Sequence, residues 1–383
     1  MGIPSEGARV RVAGLRLTDF RNHQETRLDA GAGHVVLVGE NGAGKTNLIE
    51  AVSFLSPGRG LRRATLEEPA RKGGPGGWVV SADVEGVDRR VTIGTGIEPP
   101  AGSPPRARKL RIDGADAGTV DALLDHLSVL WLTPAMDGLF TGAASDRRRF
   151  LDRMVLAIDP GHARRAIDYE KALRERNRLL EGHRPDMAWL DAIELEIATL
   201  GVALAAARRE LVDCFRDVAG GSAEAGSAFP AAGLALNGSL ETELQDWPAT
   251  EVEDRFRQRL ASGRHRDAAA GRTLEGPHRT DLVVTHLPKA MPAADSSTGE
   301  QKALLIGLVL AHARLVAGIT RRTPVLLMDE VAAHLDARRR AGLFAELDAL
   351  GAQVWMTGTD PALFAELGDR GRLFRVADGA VFD

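Results

Sequence analysis

The stretch Gly39-Glu40-Asn41-Gly42-Ala43-Gly44-Lys45-Thr46 constrains the fold of this chain more than any other. It fits G-x-x-x-x-G-K-[ST] at every fixed position. Glycines let backbone N–H groups converge on phosphate oxygens without side-chain obstruction, and a helix start behind them adds the positive end of its dipole. Such a loop works between a strand and a helix, and the flanks supply both. Val35 to Val38 form a continuous apolar run, as expected of a strand buried on both faces, and the segment after the loop reads as a helix. In this frame Lys45 reaches the β- and γ-phosphates of a nucleotide, and the Thr46 hydroxyl is placed to ligate Mg²⁺. A glycine-rich turn that matched by accident would need neither flank.

The other half of such a site is an apolar strand ending in acid, and "VLLMDE" supplies it. Asp329 is placed to hold the Mg²⁺ shell and Glu330 to polarise an attacking water. Alone, an Asp-Glu pair after a strand is only the start of a surface loop; with the phosphate loop it completes a catalytic set of Lys45, Asp329 and Glu330. Gly39 and Asp329 lie 290 positions apart. A compact phosphate-loop kinase or GTPase brings these elements closer, so a whole lobe is inserted here.

The intervening chain shows what the insert is made of. "RVRVAGLRLTDFRNH" reads as one or two short strands, and "KGGPGGWVVSADVEGVDRRVTIGTG" as antiparallel β with glycine-rich turns. "GTGIEPPAGSPPRAR" reads as a loop. From Asp146 to about Val218, Arg, Glu, Leu and Ala dominate at helical spacing, which predicts two long helices near 160–181 and 187–217, broken at "EGHRP" because Pro185 cannot sit inside a helix. The result is a helical hairpin, an arm. "GGSAEAGSAFPAAG" (220–233) reads as a flexible return, and strands resume at "DLVVTHL", "RTPVLLMDE" and "GAQVWMTGTD".

Charge and cysteine content narrow the class. The 383 residues include 49 Lys and Arg against 53 Asp and Glu, a formal net charge of −4. Any DNA contact must then come from local patches: Arg59, Arg62 and Arg63; Arg106, Arg108, Lys109 and Arg111; or Arg147, Arg148 and Arg149. Each run by itself is a solvated face first and a phosphate track second. The single cysteine, Cys214, excludes an internal disulfide framework and a multi-cysteine zinc site, and a reducing cytoplasm is the simplest home. The start "MGIPSEGARVRV" lacks a signal-peptide apolar region, and Glu6 stands where a myristoylation motif wants Ser or Thr. Trp131 and Trp355 sit in apolar segments and read as core, so no aromatic platform for single strands is expected.

The stretch "SSTGEQKALLIGLVLAHA", Ser296 to Ala313, remains. Its apolar run is broken by His312 and Arg314 and falls short of the roughly 20 residues of a membrane helix. Ser297 with Glu300, and Thr298 with Gln301, each fit the capping-box spacing ahead of a buried helix over Lys302 to Leu315. A capped helix start is also a cluster of free N–H groups at a positive dipole end.

"GENGAGKTNLIEA" with "LTDFRN" upstream resembles the SMC-like, ABC-type ATPase heads. "SPGRGLRR", "LTPAMDGLFTGAASDRRRFLD", "EGPHRTDL", the Ser296 stretch and "LLMDEVAAHLD" narrow the resemblance to the RecF family of bacterial replication and repair ATPases, from Val12 to about Thr359. The resemblance implies an α/β ABC-type head, a mixed sheet with helices, carrying an inserted helical arm lobe. The expected division is 1–145 for the first part of the ATPase lobe, 146–270 for the arm lobe and 271–383 for the rest of the ATPase lobe. It further implies that Gly39, Glu40, Asn41, Gly42, Ala43, Gly44, Lys45 and Thr46 bind ATP with Mg²⁺. Arg21 would approach a phosphate in the same head. Ser297, Thr298 and Gly299 would complete the nucleotide site of a second copy in an ATP-dependent homodimer, and Asp336 would lie at the dimer seam while also capping the helix before "ARRRAGL". Implied partners are single- and double-stranded DNA at gaps and mediators of the RecO and RecR type, with recombinase loading, SOS induction, a cytoplasmic setting and no membrane. The activity implied is a weak, DNA-stimulated ATPase that works as a switch.

Three departures bear on rate and role. Thr280 stands in "GPHRTDL" where the family more often has Asp. No glutamine lies between Gln24 and Gln245, leaving Asp137 as a weak Q-loop substitute. "MTGTD" offers Thr357 or Thr359 where transporter ATPases place a switch histidine. Weak sensing of the γ-phosphate and slow hydrolysis are expected. The missing histidine and the arm argue against a transporter subunit. The short arm without a Cys-x-x-Cys hook argues against a long coiled-coil repair ATPase. A small-molecule kinase would not need the signature stretch. An ATP-gated DNA clamp without a loading role stays open at this stage.

Overall fold

The computed structural model describes residues 8–86, 89–99, 107–182, 185–224 and 227–383, with the side chains of 219–224 left aside. The chain divides into two compact units: Met1–Asp137, Glu224–Phe229 and Leu305–Asp383 form the first, and Gly138–Ala223 with Pro230–Leu304 the second. This moves the expected boundaries. Residues 138–145 and 271–304, the signature stretch among them, group with the inserted lobe. The reason is a backbone ladder: the strand Asp281–His286 pairs along its whole length with the strand Ala232–Asn237 of the insert.

Strands are numbered β1–β15 and helices α1–α9 in chain order. The first unit holds two six-stranded sheets. One is antiparallel, in the order β2 (His23–Asp29), β1 (Arg11–Phe20), β4 (Trp78–Glu85), β5 (Arg90–Ile97), β6 (Lys109–Ile112), β7 (Ala115–Asp116). Its strands alternate: Leu15 and Leu17 are buried on β1 while Arg16 and Thr18 face outward, as a sheet with one covered face requires. The other runs β15 (Ala380–Phe382), β14 (Gly371–Ala377), β3 (His34–Val38), β13 (Val354–Gly358), β12 (Val325–Met328), β8 (Val129–Leu132), parallel throughout except for the β14–β15 hairpin. All residues of β3, β8, β12 and β13 are buried, matching the continuous apolar runs in their sequences. Phe20, Phe54 and Trp78 make an aromatic cluster at the C-terminal end of α1 (Lys45–Ser53), with Trp78 set edge-on to Phe20 at 5.6 Å between centroids. Trp131 and Trp355 are core, as expected.

The second unit contains α2 (Ala144–Leu156), α3 (His162–Leu180), α4 (Met187–Glu224), α5 (Ser239–Asp246), α6 (Ala249–Ser262), α7 (Arg264–Ala270) and a three-stranded antiparallel sheet of β11 (Met291–Pro292), β10 (Asp281–His286) and β9 (Ala232–Asn237). The two long helices lie where expected, α4 running seven residues further. They are not a bare hairpin. Tyr169 and Leu173 of α3 and Ile197, Val202 and Ala205 of α4 share a core with Leu240 of α5 and Val252, Phe256 and Leu260 of α6. The expected flexible return at 220–233 is also corrected: α4 reaches Glu224, Phe229 is buried, and β9 begins at Ala232. Residues 1–7, His183 and Arg184 of "EGHRP", residues 100–106 of the proline-rich loop, and Gly226 with Ala225 of the return lie outside the described residues.

Two elements remain, and the first revises a length. α8 covers Thr298–Thr320, 23 residues instead of the expected 14. By length and composition alone it could cross a membrane, contrary to the sequence expectation; it is mostly buried within the chain, as a core helix is. α9 (Ala337–Leu350) starts at Asp336, whose Oδ1 accepts from the Arg339 amide at 2.8 Å, so the capping role is present.

Candidate nucleotide site

The loop between β3 and α1 is built around three glycines with specific needs. Gly42 and Gly44 have φ of 84° and 110°, the left-handed region that favours glycine. A Cβ on Gly44 would also lie 2.7 Å from Asn22 Nδ2, and a Cβ on Gly39 would overlap the Val376 carbonyl of β14. The loop wraps a cleft of ≈220 Å³ lined by Asn41, Gly42, Gly44, Lys45, Thr46, Asn47, Arg62 and Glu330.

Lys45 Nζ donates to the Gly39 carbonyl at 2.7 Å and the Glu40 carbonyl at 2.8 Å. Burial lowers its pKa, and the charges of Glu330 and Asp329 oppose that shift. The two halves of the site meet at Asp329. Its Oδ1 accepts from Thr46 Oγ1 at 3.1 Å and from Thr357 Oγ1 at 2.7 Å, and its amide donates to Leu132 on β8. Burial raises the pKa of Asp329, the two hydroxyls pull it down, and Glu330 pushes it up again. Glu330 follows with φ of 54°, a strained value for a side chain with a Cβ. Its amide donates to Thr357 Oγ1 at 2.9 Å. The donors at Thr46 and Asp329 are hard oxygens side by side, the kind a magnesium ion takes in ones and twos while phosphates and waters fill the rest. The residues present therefore fit Mg²⁺.

Two arginines share one buried carboxylate beside this cleft. Glu50 of α1 is fully buried and accepts from Arg21 through both oxygens, at 2.9 and 2.6 Å, and from Arg62 at 2.7 Å. Arg62 also donates to Asn47 Oδ1 at 2.6 Å and lines the cleft. Arg21 is engaged by Glu50 and by the Glu68 carbonyl. Arg62 and Asn47 were missed as cleft residues; the sequence read Arg62 as part of a surface run, and the signal that could have placed it is the lone carboxylate Glu50 on the buried side of α1.

Ser297, Thr298 and Gly299 are exposed at the start of α8. Lys289 donates to Glu300, and the Ser297 amide donates to the same carboxylate at 3.1 Å; together they hold it down to about 2. The Ser297–Glu300 half of the capping pattern is thus formed. The Thr298–Gln301 half is not: Gln301 Nε2 donates to the Ser296 and Ala294 carbonyls, because the helix starts at Thr298 and leaves no amide within its reach. Ser296 Oγ is buried without a partner.

The basic runs are mostly spoken for. Arg147 clasps Asp281 with two bonds of 2.8 Å, Arg148 donates to the Thr280 carbonyl, and Arg149 pairs with Asp146. Arg108 is half-buried against the carbonyls of Phe54, Ser56 and Gly58, and desolvation lowers its pKa to about 10. Lys109 pairs with Glu98, while Arg59 and Arg111 are exposed and Arg106 lies outside the described residues. "GPHRTDL" is a hub. Arg208 holds both oxygens of Asp152 and the Pro277 carbonyl, Tyr169 meets His278 Nδ1 at 2.9 Å, and Thr280 Oγ1 donates to Glu241. An aspartate at position 280 would face that buried carboxylate, so Thr280 and Glu241 fit each other. Arg279 is exposed.

A family model described as an AAA domain matches residues 15–65. A DNA replication and repair protein RecF of Rhizobium etli is 56% identical over 374 residues, covering 98% of this chain and 99% of its own. Among solved structures, the recombination mediator protein RecF with ATPrS, of the RecFOR pathway, superposes with a TM-score of 0.84 at 21% identity over 98% of this chain and 99% of that one. The Smc head domain of Pyrococcus furiosus superposes with a TM-score of 0.53 at 16% identity, over 97% and 95% of the two chains.

Proposed function

The chain belongs to the RecF family of DNA replication and repair proteins, and from that premise we propose that it is an ATP-switched DNA-binding protein that dimerises around nucleotide and acts at single- to double-stranded gaps. The observation that carries this is the junction at Asp329, where the phosphate-loop threonine and the strand-end acid already share a hydrogen bond.

ATP would lie along the loop from Gly39 to Thr46, its phosphates taking the amides of the α1 start and the Lys45 ammonium in place of the Gly39 and Glu40 carbonyls. Thr46 and Asp329 would hold Mg²⁺, which when bound neutralises phosphate charge. Glu330, held by Thr357, would orient and polarise the attacking water, and Arg62 would add positive charge at the cleft mouth. Arg21 would approach the phosphates only on leaving Glu50. Asp137 as a Q-loop substitute, and a threonine in place of a switch histidine, support slow hydrolysis. Ser297, Thr298 and Gly299, exposed at a capped helix start, support a trans role toward the nucleotide of a second copy, with Asp336 at the seam. DNA contacts through backbone phosphates, mediators of the RecO and RecR type, recombinase loading with SOS induction, and a cytoplasmic setting without membrane attachment complete the reading. It rests for these on the relatives and on α8 being a buried core helix.

Size-exclusion chromatography with light scattering, with and without Mg-ATP, tests it. The native chain should shift from monomer to dimer with ATP. Lys45→Ala should lose nucleotide binding and the shift together, while Ser297→Arg should bind ATP as a monomer and fail to dimerise. A native chain that stays monomeric at saturating ATP overturns the dimer reading.

A further inference from the structure

The back of the phosphate loop is held by the last turn of the chain. Asp378 and Gly379 connect β14 to β15 with φ of 47° and 76°, both left-handed, the two-residue hairpin turn in which Asp-Gly is favoured. The Gly379 amide, in place of a solvent bond, donates to the Ala43 carbonyl at 3.2 Å. Ala43 lies inside the phosphate loop, so its carbonyl direction fixes the peptide plane whose other end is the Gly44 amide. A second donor reaches the same carbonyl: Asn22 Nδ2, at 3.3 Å. Asn22 Oδ1 in turn accepts from Asn47 Nδ2 on α1 at 2.7 Å.

His23 closes the arrangement. Its Nδ1 lies 2.7 Å from the Gly379 carbonyl and 3.0 Å from Thr26 Oγ1. A carbonyl can only accept, so Nδ1 carries the proton. The ring is fully buried. Steric evidence agrees with the hydrogen bonds. A Cβ on Gly379 would stand 2.7 Å from the Asn22 carbonyl, and one on Gly44 would collide with the Asn22 side chain. Three segments far apart in sequence, the Arg21–His23 turn, the phosphate loop and the terminal turn, therefore pack backbone to backbone.

We propose that the Asp378–Gly379 turn, with Asn22 and His23, is a positioning element of the nucleotide site, which sets the phosphate loop from behind and is coupled to occupancy of the cleft. The inference rests on the ATP-binding reading above. None of these residues lines the cleft; they act through Ala43 and Gly44. Coupling between sites is reciprocal, so what the turn does for nucleotide affinity, nucleotide must do for the turn. The C-terminal hairpin thus becomes a place from which the site can be tuned, because anything that loosens it loosens the loop.

Two measurements test this on the full chain. In hydrogen exchange of the wild-type protein, Mg-ATP should slow the Gly379 amide at least about fivefold, the lower end of ordinary coupling, although the turn does not touch the cleft. In equilibrium binding of ATP, Asn22→Ala and Gly379→Ala should each raise Kd about tenfold; Asn22→Ala should leave the melting temperature without nucleotide within about 3 °C of wild type, whereas Gly379→Ala, strained by its left-handed φ and by the Asn22 carbonyl, should lower it. Phe382→Ala, exposed on the same hairpin, should leave Kd unchanged. Wild-type protein that binds ATP with no change at Gly379, or variants that bind as tightly as wild type, overturn the inference. If a variant does not fold, the exchange measurement decides. Failure of the wild type to bind ATP at all sinks the ATP-binding reading instead, so the two failures are distinguishable.

Discussion

Thr357 Oγ1 donates to Asp329 Oδ1 at 2.7 Å and, through its lone pair, accepts the Glu330 amide at 2.9 Å. One hydroxyl on β13 thus fixes both acids at the end of β12, the first against the Thr46 hydroxyl and the second in a left-handed backbone conformation that Glu rarely adopts. Strain held by a neighbour in this way would keep the carboxylate of Glu330 aimed for the role proposed for it. Thr357→Val keeps the shape and removes both bonds. It should slow single-turnover hydrolysis about tenfold, ~1.4 kcal/mol of barrier, with ATP affinity changed less than about threefold. Thr357→Ser should restore the rate. A valine variant that hydrolyses ATP at the wild-type rate would show that the bridge is ornamental.

Charge reversal at Arg147 should act on stability first. Its side chain is 14% exposed, and the guanidinium is bound bidentate to Asp281 at the start of β10. Arg147→Glu places two carboxylates face to face, a loss of about 2–5 kcal/mol for a partly buried pair, and Asp281→Arg in the same chain should recover much of it. Arg149→Glu should shift the denaturation midpoint little, because exposed pairs such as Arg149–Asp146 contribute about 0–1 kcal/mol. Urea denaturation of the three variants reads this directly. Equal losses for Arg147→Glu and Arg149→Glu would contradict it.

What the sequence made legible was whatever is encoded within one element and its immediate flanks. The phosphate loop, the apolar β12 and the Val35–Val38 run of β3, the alternation of β1 and β4 and the two long helices all follow from local period and from glycine chemistry. α6 was legible too and went unread: Val252, Phe256 and Leu260 recur at four-residue spacing and are all buried. Other features depend on partners that no local pattern contains. Arg147 reads as one of three surface arginines until Asp281, 134 residues away, is beside it. Arg62 and Glu50 meet only because the loop after α1 folds back. Ser297–Glu300 and Thr298–Gln301 have the same spacing, and the position of the helix start alone decides which pair caps.

Acid should destabilise the fold before it reaches carboxylate pKa values. Burial lowers the pKa of His278, opposed by the Thr273 carbonyl and reinforced by Arg279, Arg148 and Arg208; burial also lowers those of His23 and His126. His278 Nε2 donates to the Thr273 carbonyl, so Nδ1 is the acceptor for Tyr169, and protonation would break that bond. The unfolded chain takes up its proton near pH 6.5 and the native chain only below that. The unfolded state therefore binds more protons in the window below 6.5, and stability falls as pH falls through it. Each such group contributes a slope of up to about 1.4 kcal/mol per pH unit. His278→Asn should flatten the stability–pH curve between pH 7 and 5 by up to one group's share. A curve of unchanged slope would mean that His278 titrates alike in both states.

Arg176 should be costly to remove from the second unit. Its side chain is fully buried, and it donates to Glu194 at 2.9 Å, to Asp267 and Thr273 at 2.8 Å, and to the Leu260 carbonyl at 2.8 Å. It ties α3 to α4, α6 and α7, and both carboxylates are almost without solvent. Arg264 on α7 also reaches Glu194, so among the described residues Asp267 is the carboxylate left without an ionic partner when Arg176 is lost. Breaking a buried pair from one side costs about 3–5 kcal/mol, because the remaining charge stays buried. Arg176→Met should therefore lower unfolding free energy by that amount, and Arg176→Lys should recover little, since an ammonium cannot reproduce the planar fork. The double change Arg176→Met with Asp267→Asn should be less damaging than Arg176→Met alone. Denaturation curves for the three variants measure each step; a lysine variant as stable as wild type would show that the charge matters and the fork does not.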